Sequence, residues 1–189
     1  SASFAVPEEV AQFYTRHAKA RGAATEREWN EKFEIFCKTN PEKSVELKAR
    51  LATSNVCELI ASLASTNDGK SKATRQHSGE VLAALVKALP AIVGGSADLT
   101  ESTVTNKANL APFTATDRNQ RFIHFGVREH AMAAICNGLA AYGGFLPFCA
   151  TFANFIGYCW GAARLSALSH HKVLYIATHD SIDLGEDGP

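Results

Sequence analysis

The sequence predicts an α/β fold, a mostly parallel open sheet with helices on both faces, preceded by a helical segment. Three observations lead there. Four short apolar runs, AIVGG, RFIHFG, FLPFCA and KVLYIAT, read as strands. Stretches of helical periodicity near 127–141 and 152–168 separate the last three. The first third carries only the 3.6-residue repeat.

In chain order, Val10, Phe13, Tyr14 and His17 fall at i, i+3, i+4 and i+7. Trp29, Phe33, Phe36 and Cys37 form a second such group, and Val56, Leu59, Ile60 and Leu63 a third. Pro7 and Pro41 stand at helix starts, where a missing N–H removes no helical bond. The polar run STNDGKSK at 65–72 marks a boundary, dividing a helical segment, 1–72, from an α/β domain, 73–189. That domain opens on a helix with Val81, Leu82, Leu85 and Leu89 on one side, ending at Pro90. AIVGG is its first strand and RFIHFG its second. FLPFCA is a weaker third because of Pro147, and KVLYIAT is the clearest of the four.

Composition excludes several classes. Nineteen basic and nineteen acidic residues leave no net charge, and there is no basic run, so nothing points to nucleic acid or an anionic membrane. With 46% apolar and 20% charged residues the chain belongs with folded rather than disordered proteins. No uninterrupted apolar stretch is long enough to span a bilayer, and SASFAVPEEV is not a secretory leader. The five cysteines, Cys37, Cys57, Cys136, Cys149 and Cys159, are odd in number and irregular in spacing. Their apolar neighbours read as buried free thiols in a reducing compartment, which places the chain in the cytoplasm, with an organelle left open.

In open parallel sheets, ligands bind beyond the carboxyl ends of the strands. GGSAD, GVREH, TFANF and THDS follow the four strands, so Asp98, Glu129, Phe152 and His179 are expected on one rim. Glu129 has two readings. One is an anion favourably placed in a first helical turn, worth about 0.3–1 kcal/mol. The other is a partly desolvated carboxyl that shares a proton with a ligand nitrogen. Phe152, Phe155 and Tyr158, at i, i+3 and i+6, are either core packing on one helix face or a slot for a heteroaromatic ring. Arg75, Ser102 and His179 could each donate to a phosphate. DGKS lacks the upstream glycine of a P-loop, His170-His171 reads as a solvated turn, and the acidic residues near 180–187 lack EF-hand spacing. The helices AMAAICNGLAAYGG and FIGYCWGAARLSAL are apolar or small on nearly every side. They are expected to pack against another subunit or domain.

GGSADLT (94–100), RFIHFGVREHAMAAICNGLAAYGGFLPFCATFANF (121–155), ARLSAL (163–168) and ATHDSIDLGEDGP (177–189) resemble transketolase, and FAVPEEVAQFY resembles the segment joining that enzyme's two large domains. The resemblance makes 1–72 an inter-domain linker and 73–189 part of the pyrimidine-binding domain. It implies a thiamine diphosphate enzyme that moves a two-carbon ketol unit from a ketose phosphate to an aldose phosphate. The enzyme is expected as a homodimer with its active sites between subunits.

By this resemblance Glu129 hydrogen-bonds a ring nitrogen of the aminopyrimidine and favours the imino form of its exocyclic amine, which then accepts the thiazolium proton. Phe152, Phe155 and Tyr158 match the pyrimidine pocket, and Asp98 matches an acid near the cofactor. Arg75, Ser102 and His179 match phosphate contacts, His179 being catalytic as well, and Asp187 matches a reader of a sugar hydroxyl. Asp183 stands where the family usually has glycine, tolerable but costlier if the position needs φ > 0. The remaining sheet is expected to follow Pro189. The diphosphate domain, with ligands for Mg or Ca, is expected to precede Ser1, so that the chain is a fragment, inactive alone. Dihydroxyacetone synthase and a truncated non-catalytic, regulatory transketolase-like subunit stay open as alternatives.

Overall fold

A computed structural model describes residues 4–52 and 69–182. The chain divides into two compact units, residues up to 49 and residues from 50 onward. In the first unit, α1 (Glu8–Thr39) runs unbroken through Gly22, joining the first two apolar groups that the periodicity marks. Pro7 caps it, its carbonyl accepting the N–H groups of Val10 and Ala11 at 3.1 Å. Trp29 stacks on Phe33 with centroids 4.8 Å apart, yet no residue of α1 is buried. Pro41 is the first residue of α2 (Pro41–Leu51), as its missing N–H allows. The third apolar group, Val56 to Leu63, lies outside the described residues, as does Cys57.

The second unit is a four-stranded parallel sheet in the order β2-β1-β3-β4. Its elements are α3 (Thr74–Ala88), β1 (Ile92–Ser96), the short α4 (Thr100–Thr103), β2 (Phe122–His124), α5 (Glu129–Tyr142), β3 (Leu146–Phe152), α6 (Ile156–Leu168) and β4 (Leu174–Thr178). One sheet face packs on α3 through Leu82, Val86, Ile92, Phe122 and Phe148. The other packs on α5 through Met132, Cys136, Ala97, Phe125 and Cys149, and α6 joins α5 through Ala133, Cys159 and Ala162. Helices therefore cover both faces, as the alternating pattern predicts. Asn137 Nδ2 donates to the Ala162 carbonyl at 2.8 Å and ties α5 to α6.

Three sequence expectations are corrected. FLPFCA opens the longest strand, paired on both sides. Leu146 N donates towards β1, so Pro147 faces the other edge, where pairing with β4 starts only at Phe148. The missing N–H therefore removes no ladder bond. On α3 the buried face is Gly79, Leu82 and Val86, with Leu85 and Leu89 against the core, while Val81 is exposed. Its helix ends at Ala88, with Leu89 as the cap. There the Arg121 guanidinium donates to the carbonyls of Val86, Leu89 and Ile92 at 3.1–3.4 Å. Third, Phe152, Phe155 and Tyr158 do not share one helix. Phe152 ends β3, Phe155 closes a 3₁₀ turn (Ala153–Phe155), and Tyr158 lies in the first turn of α6.

Candidate active-site rim

The strand order reverses between β1 and β3, and the crevice beyond their carboxyl ends is the topological switch point. After β1, the Ser96 hydroxyl donates to the Ala150 carbonyl at 3.0 Å and accepts the Leu99 N–H at 3.2 Å. This clasps the turn at Asp98, which is exposed and held at φ 63°. After β2, Gly126 adopts φ 68°, and Arg128 folds back to donate its Nη1 to the Phe125 carbonyl at 3.1 Å. That turn delivers a half-buried Glu129 as the first residue of α5. After β4, His179 stands at φ 55° with Nδ1 2.9 Å from Thr178 Oγ1. Asp98 and His179, neither of them glycine, thus both hold left-handed backbone on this rim.

A cavity of about 380 Å³ opens here, lined by Ala97, Asp98, Leu99, Val127, Glu129, Phe155 and Tyr158. Along it runs an aromatic row. The His179 ring lies 3.8 Å from Phe152, Phe152 stacks on Phe155 at 5.7 Å with planes 11° apart, and Phe155 meets Tyr158 at 6.1 Å. The sequence places these rings on one helix; strand, turn and helix instead carry them to the same row. The lining holds a half-buried carboxylate, Glu129, and an exposed one, Asp98, in an otherwise largely apolar, aromatic wall. That suits a flat heteroaromatic ring with a nitrogen to share a proton. A metal finds no equivalent, since no cluster of three or more His, Cys, Asp or Glu able to hold one occurs among the described residues.

The predicted site residues thus divide. Asp98, Glu129, Phe155 and Tyr158 line the cavity, and Phe152 and His179 continue its aromatic wall. Arg75 lies in a neighbouring cavity of about 270 Å³, with Thr74, Ser78, residues Tyr175 to Thr178, and Asp180. Ser102 is exposed on α4 and lines neither. Asp183 and Asp187 lie outside the described residues. Val127 and Leu99 escape a search for polar groups. The available signal was a valine between glycine and arginine at a helix mouth, and it is 73% exposed. Behind the site, Cys159 is pushed above its ordinary thiol value by burial and, secondarily, by the Glu129 charge.

Strand order and rim define a class first: an open parallel α/β domain of the kind that takes its ligand at the switch point. The family model for the transketolase pyrimidine-binding domain matches residues 70–189, and that for the transketolase thiamine diphosphate-binding domain matches residues 1–55. The chain belongs to the transketolase family. It is 45% identical to the chloroplastic transketolase of Spinacia oleracea, over 98% of its own length and 25% of that protein's. It is 42% identical to transketolase 2 of Saccharomyces cerevisiae, over 99% and 28%. The transketolase structure from Leishmania mexicana superposes with a TM-score of 0.80 at 42% identity, over 100% of this chain and 28% of that one. The Pichia stipitis transketolase in complex with sedoheptulose-7-phosphate gives 0.81 at 42%, over 100% and 29%. The chain spans about a quarter of the length of the curated relatives it matches.

Proposed function

We propose that this chain supplies the pyrimidine-binding side of a transketolase active site. The intact protein transfers a two-carbon ketol unit from a ketose phosphate such as xylulose 5-phosphate to an aldose phosphate such as ribose 5-phosphate, in the non-oxidative pentose phosphate pathway. The observation that carries this reading is the cavity in which Glu129 faces Phe155 and Tyr158 at the switch point. Residues 73–189 form the pyrimidine-binding part and 1–72 the linker to the diphosphate-binding domain. That domain's family model matches residues 1–55, so the segment read as a linker carries sequence of the diphosphate-binding domain itself.

Thiamine diphosphate, when bound, supplies the nucleophilic carbon that takes up the two-carbon unit. Glu129 pairs its carboxyl with a pyrimidine ring nitrogen and holds a proton there. Phe152, Phe155 and Tyr158 orient the ring and keep water from its faces, and the exposed Asp98 lines the same cavity. Arg75, Ser102 and His179 hold the sugar's phosphate, and Asp187 reads a sugar hydroxyl. Mg or Ca belongs with the diphosphate, on residues other than those described.

Ile135, Trp160, Leu165 and Leu168 are exposed on α5 and α6, which supports a homodimer with the site completed across the interface. The buried, free Cys136, Cys149 and Cys159 support a reducing compartment, which we take as cytoplasmic. No described helix is long and apolar enough to cross a membrane. The test is two-carbon transfer between these sugar phosphates by the intact protein. Its dependence on added thiamine diphosphate is expected, and a folded, cofactor-loaded protein without transfer contradicts the reading.

A further inference from the structure

We propose that Gly79, Glu80, Val104 and Lys107 form a positioning device. It fixes the short helix carrying Ser102 against the helix carrying Arg75, and so sets the spacing of two groups that hold the substrate's phosphate. The inference rests on the phosphate role given above to Arg75 and Ser102. Arg75, Gly79, Leu82 and Val86 share one face of α3 at i, i+4, i+7 and i+11. Gly79 is buried, and a Cβ there would lie 2.5 Å from the Val104 carbonyl oxygen and 2.8 Å from its Cγ1. Only glycine permits so close an approach of α3 to the end of α4.

Val104 itself stands at φ 56°, ψ 36°. A β-branched residue in the left-handed region is an outlier that persists only where its surroundings over-determine it. Here they do. The buried Thr103 hydroxyl donates to the Leu99 carbonyl at 2.8 Å and lies 3.0 Å from Thr105 Oγ1. The Asn106 side chain accepts the Leu110 N–H at 2.8 Å and donates to the Leu110 carbonyl at 3.1 Å. The segment is thus closed on itself. Outside it, the Glu80 carboxylate accepts from Lys107 at 2.7 Å and from Lys72 at 3.0 Å. Two pins therefore join α3 to the α4 segment, one steric and one ionic. Arg75 lies one turn before the first pin and Ser102 two residues before Val104. None of the four residues lines either cavity, so they act through Arg75 and Ser102.

The test compares ribose 5-phosphate with unphosphorylated ribose as acceptor, in the intact, cofactor-loaded protein. Lys107→Ala is expected to raise KM for ribose 5-phosphate up to about fivefold, the scale of a partly exposed ion pair. Gly79→Ala, which displaces backbone, should raise it about tenfold or more. In both, kcat and the kcat/KM for ribose should stay unchanged, and Lys107→Arg should restore the wild-type preference. An equal loss with both acceptors, or an unaltered preference in Lys107→Ala, overturns the proposal even where Gly79→Ala fails to fold. Arg75→Ala separates the two levels. If it leaves the preference for phosphate intact, the phosphate role falls and the device with it. If it abolishes the preference while Lys107→Ala and Gly79→Ala keep it, only the positioning claim falls.

Discussion

Glu129 shows how one residue carries two physical roles. As the first residue of α5 it complements the helix dipole, and as part of the rim wall it presents a carboxylate to the cavity. The aromatic row beside it gives a separate prediction. Phe155 is the middle ring, half-buried, touching Phe152 and Tyr158. Phe155→Ala should weaken thiamine diphosphate binding to the intact protein by roughly tenfold, the scale of lost aromatic contacts, with little change in folding. Titration of the cofactor into both proteins checks this. Buried groups beneath the site give another. The neighbouring Cys136 thiol and burial hold Cys149 far above the ordinary thiol range, and burial pushes Tyr175 up to about 12. Both stay neutral in the folded chain. Their contribution is complete below their unfolded values, 9.0 and 10.0, and is lost as pH rises beyond them. Urea midpoints at pH 8 and pH 10 should therefore fall in that order, while Cys136, Cys149 and Cys159 resist alkylation in the native state.

At the scale of elements, α3 depends on a cap supplied from 32 residues further along the chain. Arg121 donates to three carbonyls around its C-terminus. Arg121→Ala should destabilise the domain by about 1.5–3 kcal/mol, the scale of bonds to a charged donor, readable as a lowered denaturation midpoint. The sequence shows this poorly, because an arginine before a strand carries no local signal of a distant cap. Strands were legible where the chemistry is local: AIVGG and KVLYIAT are apolar runs between polar turns, and they form β1 and β4. Pro147 misled because its effect depends on where pairing with β4 begins, a property of the sheet. The rim at Asp98, Glu129, Phe152 and His179 was legible from strand ends alone. The row from Phe152 to Tyr158 was legible as a set of rings but not as strand, turn and helix, since i, i+3, i+6 spacing mimics a helical face.

At the scale of the molecule, α5 and α6 expose large apolar side chains, Trp160 being 65% and Leu165 55% exposed. Large exposed apolar patches mark interfaces. Leu165→Lys in the intact protein should shift it from dimer towards monomer at micromolar concentration, and sedimentation velocity reads the change. A fully monomeric wild type contradicts the proposed homodimer. The proposed division of the site between subunits predicts that the isolated 189-residue chain binds thiamine diphosphate weakly. A Kd below about 1 µM by calorimetry would show that the chain preorganises the site alone.

Glu129 is proposed to serve the chemistry of a transketolase from the switch-point cavity. The most direct test is two-carbon transfer from xylulose 5-phosphate to ribose 5-phosphate by the intact protein and its Glu129→Ala variant at saturating thiamine diphosphate. Proton transfer by a positioned side chain contributes roughly 10²–10⁴-fold, so the variant should lose activity on that scale while staying folded and dimeric. Equal activity in both would reduce Glu129 to a helix-terminal charge and remove it from the chemistry.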